Sequence, residues 1–170
     1  MRRIVILGNS GSGKSTLARK LGAKLDLPVI HLDVLFYEPG WKPGVSEVFR
    51  QRVTQAVAGD AWIVDGNFLG LIGDLSLPRA DTILWIEQPR WRSLARAAWR
   101  SIDRRGRNRP DLPAGCRDSL DSETLNFIWT FDRIARRDIE HILAHQAPGK
   151  PVHRLRGDRG VAAFLRQAGQ

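Results

Sequence analysis

Gly8-Asn9-Ser10-Gly11-Ser12-Gly13-Lys14-Ser15 decides how this chain is read. The stretch fits G-x-x-x-x-G-K-[ST], the phosphate-binding loop pattern, at every fixed position. Before it, Arg3-Ile4-Val5-Ile6-Leu7 is a short apolar run that reads as a buried strand. After it, Thr16 to Leu25 reads as a helix. Strand, loop and helix in that order are the context the pattern requires. Glycines let backbone N–H groups turn inward around a polyphosphate, and the helix N-terminus adds a favourable field for negative charge. Gly8, Asn9, Ser10, Gly11, Ser12, Gly13, Lys14, Ser15 and Thr16 are therefore expected to cradle the phosphates of a nucleoside triphosphate such as ATP. Lys14 is expected to reach the β- and γ-phosphates, and Ser15 to offer its hydroxyl to magnesium.

The rest of the chain supports one α/β domain spanning residues 1–170. A length of 170 residues and 42% hydrophobic content suffice for a sizeable core. Apolar runs alternate with helical patterns, which argues a parallel sheet with helices on both faces. The expected strands are Arg3–Leu7, Pro28–His31, Ala61–Val64, Thr82–Glu87 and Pro151–Leu155. Expected helices cover Ser46–Ala58 with Ser46 as N-cap, Pro89–Arg105, Ser122–Leu143 and Asp158–Gln167. Phe68–Leu77 reads as a short helix or ordered loop, and Gly106–Leu120, with two prolines, as a mobile loop. No run approaches the roughly 20 apolar residues of a membrane span. The first residues enter a strand directly, without a signal-peptide pattern. The single cysteine, Cys116, has no internal disulfide partner, so a reducing, cytoplasmic setting is the simplest expectation.

The net charge is +9, from 22 arginines and 5 lysines against 18 acids. Arginine is the side chain for bidentate phosphate contact. An acidic partner follows, either nucleotide phosphates or nucleic acid. Arg92, Arg96, Arg100 and Arg104 recur every fourth residue and form one stripe on a helix, opposite Trp91, Leu94, Ala95, Ala98 and Ile102. Arg105, Arg107 and Arg109 carry the charge into the following loop, and Arg133, Arg136 and Arg137 follow on the next helix. The functional reading is a lid closing over phosphates; the bland one is a solvated basic face. Trp85, Trp99 and Trp129 are expected to fill the core.

In such a sheet, ligands bind at the carboxyl ends of the strands. Asp65 ends Trp62-Ile63-Val64 and is expected to hold magnesium or its waters; the competing reading is a turn Asp-Gly. Asp33 ends the second strand, where it would orient or deprotonate an acceptor hydroxyl, or else serve as a cap or turn residue. His31 reads as a structurally satisfied histidine rather than a base.

The order of these elements resembles the adenylate-kinase-like family of P-loop phosphotransferases over most of the chain. The resemblance implies a three-layer α/β/α fold with a five-stranded parallel sheet in the order 2-3-1-4-5, an acceptor arm at about 33–60 and a small arginine-rich lid at about 104–122. Counted from Pro89, Arg96 and Arg100 fall where the family keeps phosphate-binding arginines, and Arg133 with Arg136 or Arg137 lie where further ones follow the lid. The resemblance thus implies catalytic roles for Lys14, Asp33, Arg96, Arg100 and Arg133, with Arg137 among the nucleotide contacts. Adenylate kinases follow Asp-Gly with Phe-Pro-Arg, where this chain has Asn67-Phe68-Leu69, so AMP is not implied as acceptor. His31-Leu32-Asp33, Pro39-Gly40-Trp41 and Asp65-Gly66-Asn67 are similar to a bacterial subgroup known as DNA topology modulation proteins or adenylate-kinase-like ATPases. Two functions follow: transfer of the γ-phosphoryl group of ATP to a small acceptor, or a nucleic-acid-associated ATPase.

Overall fold

The computed structural model describes residues 1–103, 111–113, 115–116 and 120–169. Five strands form one parallel sheet: β1 (Arg3–Gly8), β2 (Val29–His31), β5 (Trp62–Asp65), β6 (Thr82–Glu87) and β7 (Val152–Arg156). Two short strands, β3 (Tyr37–Glu38) and β4 (Lys42–Pro43), make a separate antiparallel hairpin. The sheet runs β2-β5-β1-β6-β7. With the hairpin set aside, that is the expected order 2-3-1-4-5.

The central strand shows why. Ile4, Val5, Ile6 and Leu7 are all fully buried, as befits a strand covered on both faces. Alternate side chains go to opposite sides. Val5 and Leu7 join Trp62, Val64, Ile83 and Trp85 on one face, beneath α3 (Ser46–Ala56), α4 (Leu69–Ser76) and α7 (Ala135–Gln146). Ile4 and Ile6 join Ile63, Leu84 and Ile86 on the other, beneath α1 (Lys14–Leu25) and α8 (Gly157–Gln167). The carboxyl ends of β1, β2 and β5 meet at Gly8, His31 and Asp65. Gly66 follows at φ +148°, and a Cβ there would stand 2.9 Å from the Leu32 side chain, itself fully buried.

Several expectations are corrected. The long helix expected over Ser122–Leu143 is two, α6 (Ser122–Thr130) and α7. At the break, the Thr130 hydroxyl donates to the Asn126 carbonyl at 2.7 Å, a local bond that competes with the helical ladder. Ser46 is the first residue of α3 rather than its cap; Val45 holds the cap position without a side-chain bond. A short helix, α2 (Leu32–Phe36), follows β2 directly, where the sequence reading placed none. Trp85 is buried as expected, but Trp99 and Trp129 are 70% and 52% exposed. The cause is the orientation of α5 (Arg90–Asp103). It buries Ser93 and Ala97, part-buries Arg96 and Arg100, and turns Trp91, Ala95, Trp99 and Ile102 to solvent. The expected lid at 104–122 falls largely outside the described residues, with Arg104, Arg105, Arg107 and Arg109. No described helix is long and apolar enough to cross a membrane.

Gly66→Ala combines a left-handed backbone with that close approach to Leu32. It is expected to lower unfolding stability by about 1–3 kcal/mol, read as a drop in the urea midpoint at unchanged slope.

Candidate active site at the phosphate-binding loop

β1 delivers the chain to Gly8, and α1 begins at Lys14 behind Gly13, whose φ of +100° turns the loop into the helix. The loop is closely overlaid by α5: a Cβ on Gly11 would collide with the backbone carbonyl of Ser93. Lys14 Nζ curls back and donates to the carbonyls of Gly8 at 2.8 Å and Asn9 at 3.0 Å. Asn67, just past β5, grips the same residue from the other side. Its Oδ1 accepts from Gly8 N–H at 3.1 Å, and its Nδ2 donates to Gly8 O at 2.7 Å. Asn9, buried, donates from Nδ2 to the Ile128 carbonyl of α6 at 2.9 Å.

The strand ends bring acids to this loop. His31 and Asp65 are direct partners in the β2–β5 register, and His31 Nδ1 lies 2.8 Å from Asp65 Oδ2. Asp65 is 5% exposed, and its Oδ1 has no hydrogen-bond partner among the described residues. Asp33 sits in the first turn of α2, whose cap is His31, so it is not itself the cap. Burial raises its carboxyl to about 6; Lys14 and His31 pull it down, while Asp65 and Asp111 push it up. Asp111, itself 3% exposed and inside the segment 104–122, reaches this neighbourhood. Burial lowers the Lys14 ammonium below its ordinary value against the attraction of Asp65 and Asp33, with Arg100 lowering it further. Burial, with the charges of Asp33 and Glu123, also raises the Tyr37 phenol.

Two of the expected arginines face the loop. Arg96 Nη1 donates to Ser12 O at 3.4 Å, and its Nη2 is held by Asp158 Oδ1 at 2.6 Å. Arg92 lies 3.7 Å from the same carboxylate, which Gln88 also contacts. Arg100 is close enough to act on Lys14 electrostatically. Arg133 and Arg137 are exposed, and no contact among the described residues joins them to the loop. Arg136 turns instead to Glu87 at 3.1 Å, which Arg154 also meets at 3.0 Å. The structure thus gathers Lys14, Asp33, Asp65, Arg96 and Arg100 around the loop and leaves Arg133 and Arg137 outside.

The donor set suits magnesium. Asp65 offers an unpaired, buried carboxylate oxygen, and Ser15 occupies the first turn of α1. No group of three or more His, Cys, Asp or Glu side chains forms a metal cage among the described residues. Magnesium typically takes one or two protein oxygens and completes its shell with water and substrate phosphates.

Sequence reasoning missed three residues. Asn67 carries a signal in its place directly after Asp65-Gly66, but its grip on Gly8 depends on strand adjacency. The His31–Asp65 bond depends on the β2–β5 register. Asp158 as the holder of Arg96 left no trace in the sequence.

The comparisons agree with this geometry at the level of fold. Across 98% of its length the chain superposes on a shikimate kinase from Bacteroides thetaiotaomicron, with a TM-score of 0.54, 16% identity and 95% of that chain covered. A gluconokinase from Sinorhizobium meliloti 1021 gives 0.51 and 16% identity, over 98% of this chain and 89% of the other. An uncharacterized protein from Eubacterium ventriosum gives 0.51 at 11% identity, over 99% and 98%. The fold is that of the P-loop kinases. Adenylate kinase 2 of Synechocystis sp. is 33% identical over 84 residues, 38% of this chain and 46% of the relative, so the chain spans under half of that protein. No family model matches.

Asp33 gives a signed pH dependence. In the unfolded chain it loses its proton near 3.8, in the folded protein only near 6, so its burial opposes folding increasingly as pH rises through that window. Asp33→Asn is expected to match the parent protein below about pH 4 and to exceed it by about 3 kcal/mol at pH 7–8, measured by urea unfolding at each pH.

Proposed function

We propose that this chain is a single-domain, ATP-dependent kinase that phosphorylates a hydroxyl of a small molecule. The arm is residues 33–60 and the lid residues 104–122. The observation that carries the reading is the convergence of Lys14, Asp65 and Asp33, with Lys14 and Asp33 acting electrostatically on one another and Asp65 on both, at the mouth of a complete phosphate-binding loop.

Each group has a role in this reading. Lys14 leaves the Gly8 and Asn9 carbonyls for the β- and γ-phosphates. Arg96 exchanges Asp158 for phosphate oxygen, and with Arg100 it offsets the negative charge in transfer. Ser15 and Asp65 would hold magnesium, which would supply neutralisation of phosphate charge. Asp33 takes the proton of the acceptor hydroxyl as that oxygen bonds to the γ-phosphorus and the bond to the ADP oxygen breaks. A proton affinity near 6 suits a base that works at neutral pH and is released readily afterwards.

The arm supports a hydroxyl rather than a phosphate acceptor. Arg50 binds Asp74 through two nitrogens at 2.9 and 2.7 Å, and Arg52 binds Glu38 and the Leu35 carbonyl. Both arginines are thereby committed away from the mouth of the loop. The wall that remains is aromatic, with Tyr37 and Trp41 edge to face at 5.2 Å and Phe36 beside Tyr37 at 4.9 Å.

A second reading has its own observation. Arg90 lies 4.1 Å over the ring of exposed Trp129, and Arg92 lies 5.2 Å over that of Trp91. With exposed Trp99, this basic and aromatic face of α5 and α6 has the chemistry that stacks bases and neutralises phosphates. It supports a nucleic-acid-associated ATPase, the alternative function.

Purified protein with ATP and magnesium is expected to yield ADP and a phosphorylated product with one member of a panel of sugars, nucleosides and small alcohols. Lys14→Ala should reduce the rate by roughly 100- to 1,000-fold. The parent kcat/KM should rise with pH through about 6, the value set by buried Asp33. Absence of any phosphorylated product, with hydrolysis accelerated only by single-stranded DNA in a salt-sensitive way, would select the second reading.

A further inference from the structure

His31 stands outside every role assigned so far, yet among the described residues it is the side chain hydrogen-bonded to Asp65. Both side chains project from registered positions on adjacent parallel strands, so the sheet itself sets them beside one another. The ring is 12% and the carboxylate 5% exposed, and Nδ1 meets Oδ2 at 2.8 Å. An ionised carboxylate only accepts, so Nδ1 carries the hydrogen. The pair is also locked from below. Leu32, the next residue, is fully buried against Gly66, the residue after Asp65, with no room for a side chain between them. Held at Oδ2, the carboxylate keeps Oδ1 buried on the other side of the group, without a hydrogen-bond partner among the described residues.

We infer that His31 is a positioning residue for the metal: its Nδ1–H holds Asp65 so that Oδ1 is presented to the magnesium that accompanies ATP. The inference rests on the kinase reading and its assignment of magnesium to Ser15 and Asp65. A buried carboxylate oxygen without a partner is costly unless a ligand or water completes it. Hydrogen bonds from such outer residues orient metal-bound carboxylates, and losing one typically costs 10–100-fold in metal affinity. His31 touches neither nucleotide nor acceptor in this role, and acts only through Asp65.

The test measures Mn²⁺ binding to the ATP-loaded protein by electron paramagnetic resonance. ATP binding in EDTA is followed alongside by calorimetry. His31→Leu keeps the size of the ring and removes the donor. His31→Asn places an amide N–H where Nδ1 stands. The expected result is a 10-fold or greater loss of Mn²⁺ affinity in His31→Leu, recovery in His31→Asn, and metal-free ATP affinity unchanged in both. Equal Mn²⁺ affinity in His31→Leu and the parent overturns the inference while leaving the kinase reading intact. So does an equal loss in both variants, which would mark the ring as packing alone. Parent protein that binds ATP no better with Mn²⁺ than in EDTA removes both the inference and the metal assignment beneath it.

Discussion

The carbonyl of Gly8 is where the structure is tied together. It ends the central strand and accepts hydrogen bonds from Lys14 Nζ and Asn67 Nδ2, two donors for its two lone pairs. The first donor belongs to the helix behind the loop, and the second to the turn after the neighbouring strand. Gly8 N–H completes the arrangement by donating to Asn67 Oδ1. The loop is thus fixed on both flanks before any ligand arrives. Binding then does not bear the full entropy of ordering a glycine-rich segment.

Charge is organised around this point in two shells. Near the loop, the charges of Asp65 and Asp33 offset part of what burial costs Lys14, and Lys14 in turn offsets part of what burial costs Asp33. Further out, Asp158 holds Arg96 and is approached by Arg92, Glu87 and Glu140 share Arg136 and Arg154, and Asp74 holds Arg50. The Arg96–Asp158 pair is exposed enough to contribute little to stability and to separate easily. Arg96 therefore rests on a weak partner beside the phosphate-binding loop.

What the sequence disclosed follows from the range of the interactions involved. The loop, the five strands and their alternating burial depend on short patterns, and residues 3–15 alone fix the centre of the fold. The face that α5 buries does not. Its apolar face of Trp91, Leu94, Ala95, Ala98 and Ile102 has the look of a core-facing surface, but Trp91, Ala95 and Ile102 are exposed, and the loop takes Ser93, Arg96, Ala97 and Arg100 instead. Hydrophobic pattern lost to the local need for small and cationic side chains beside Gly11 and Gly13. The break between α6 and α7 escaped notice for a related reason: it contains neither glycine nor proline, only a threonine hydroxyl bonded back to its own helix. His31, Asn67 and Asp158 act through partners 34, 59 and 62 positions away, beyond any pattern a single sequence displays.

The bond from Asn9 to the carbonyl of Ile128 spans 119 positions of chain and joins the loop to the first helix after the lid segment. It makes the loop and α6 a single mechanical unit. A shift of α6 would pull on the residue that follows Gly8, and a ligand that reshapes the loop would in turn strain α6. Linkage of that kind is reciprocal. Whatever rests against α6 is thereby felt at the loop.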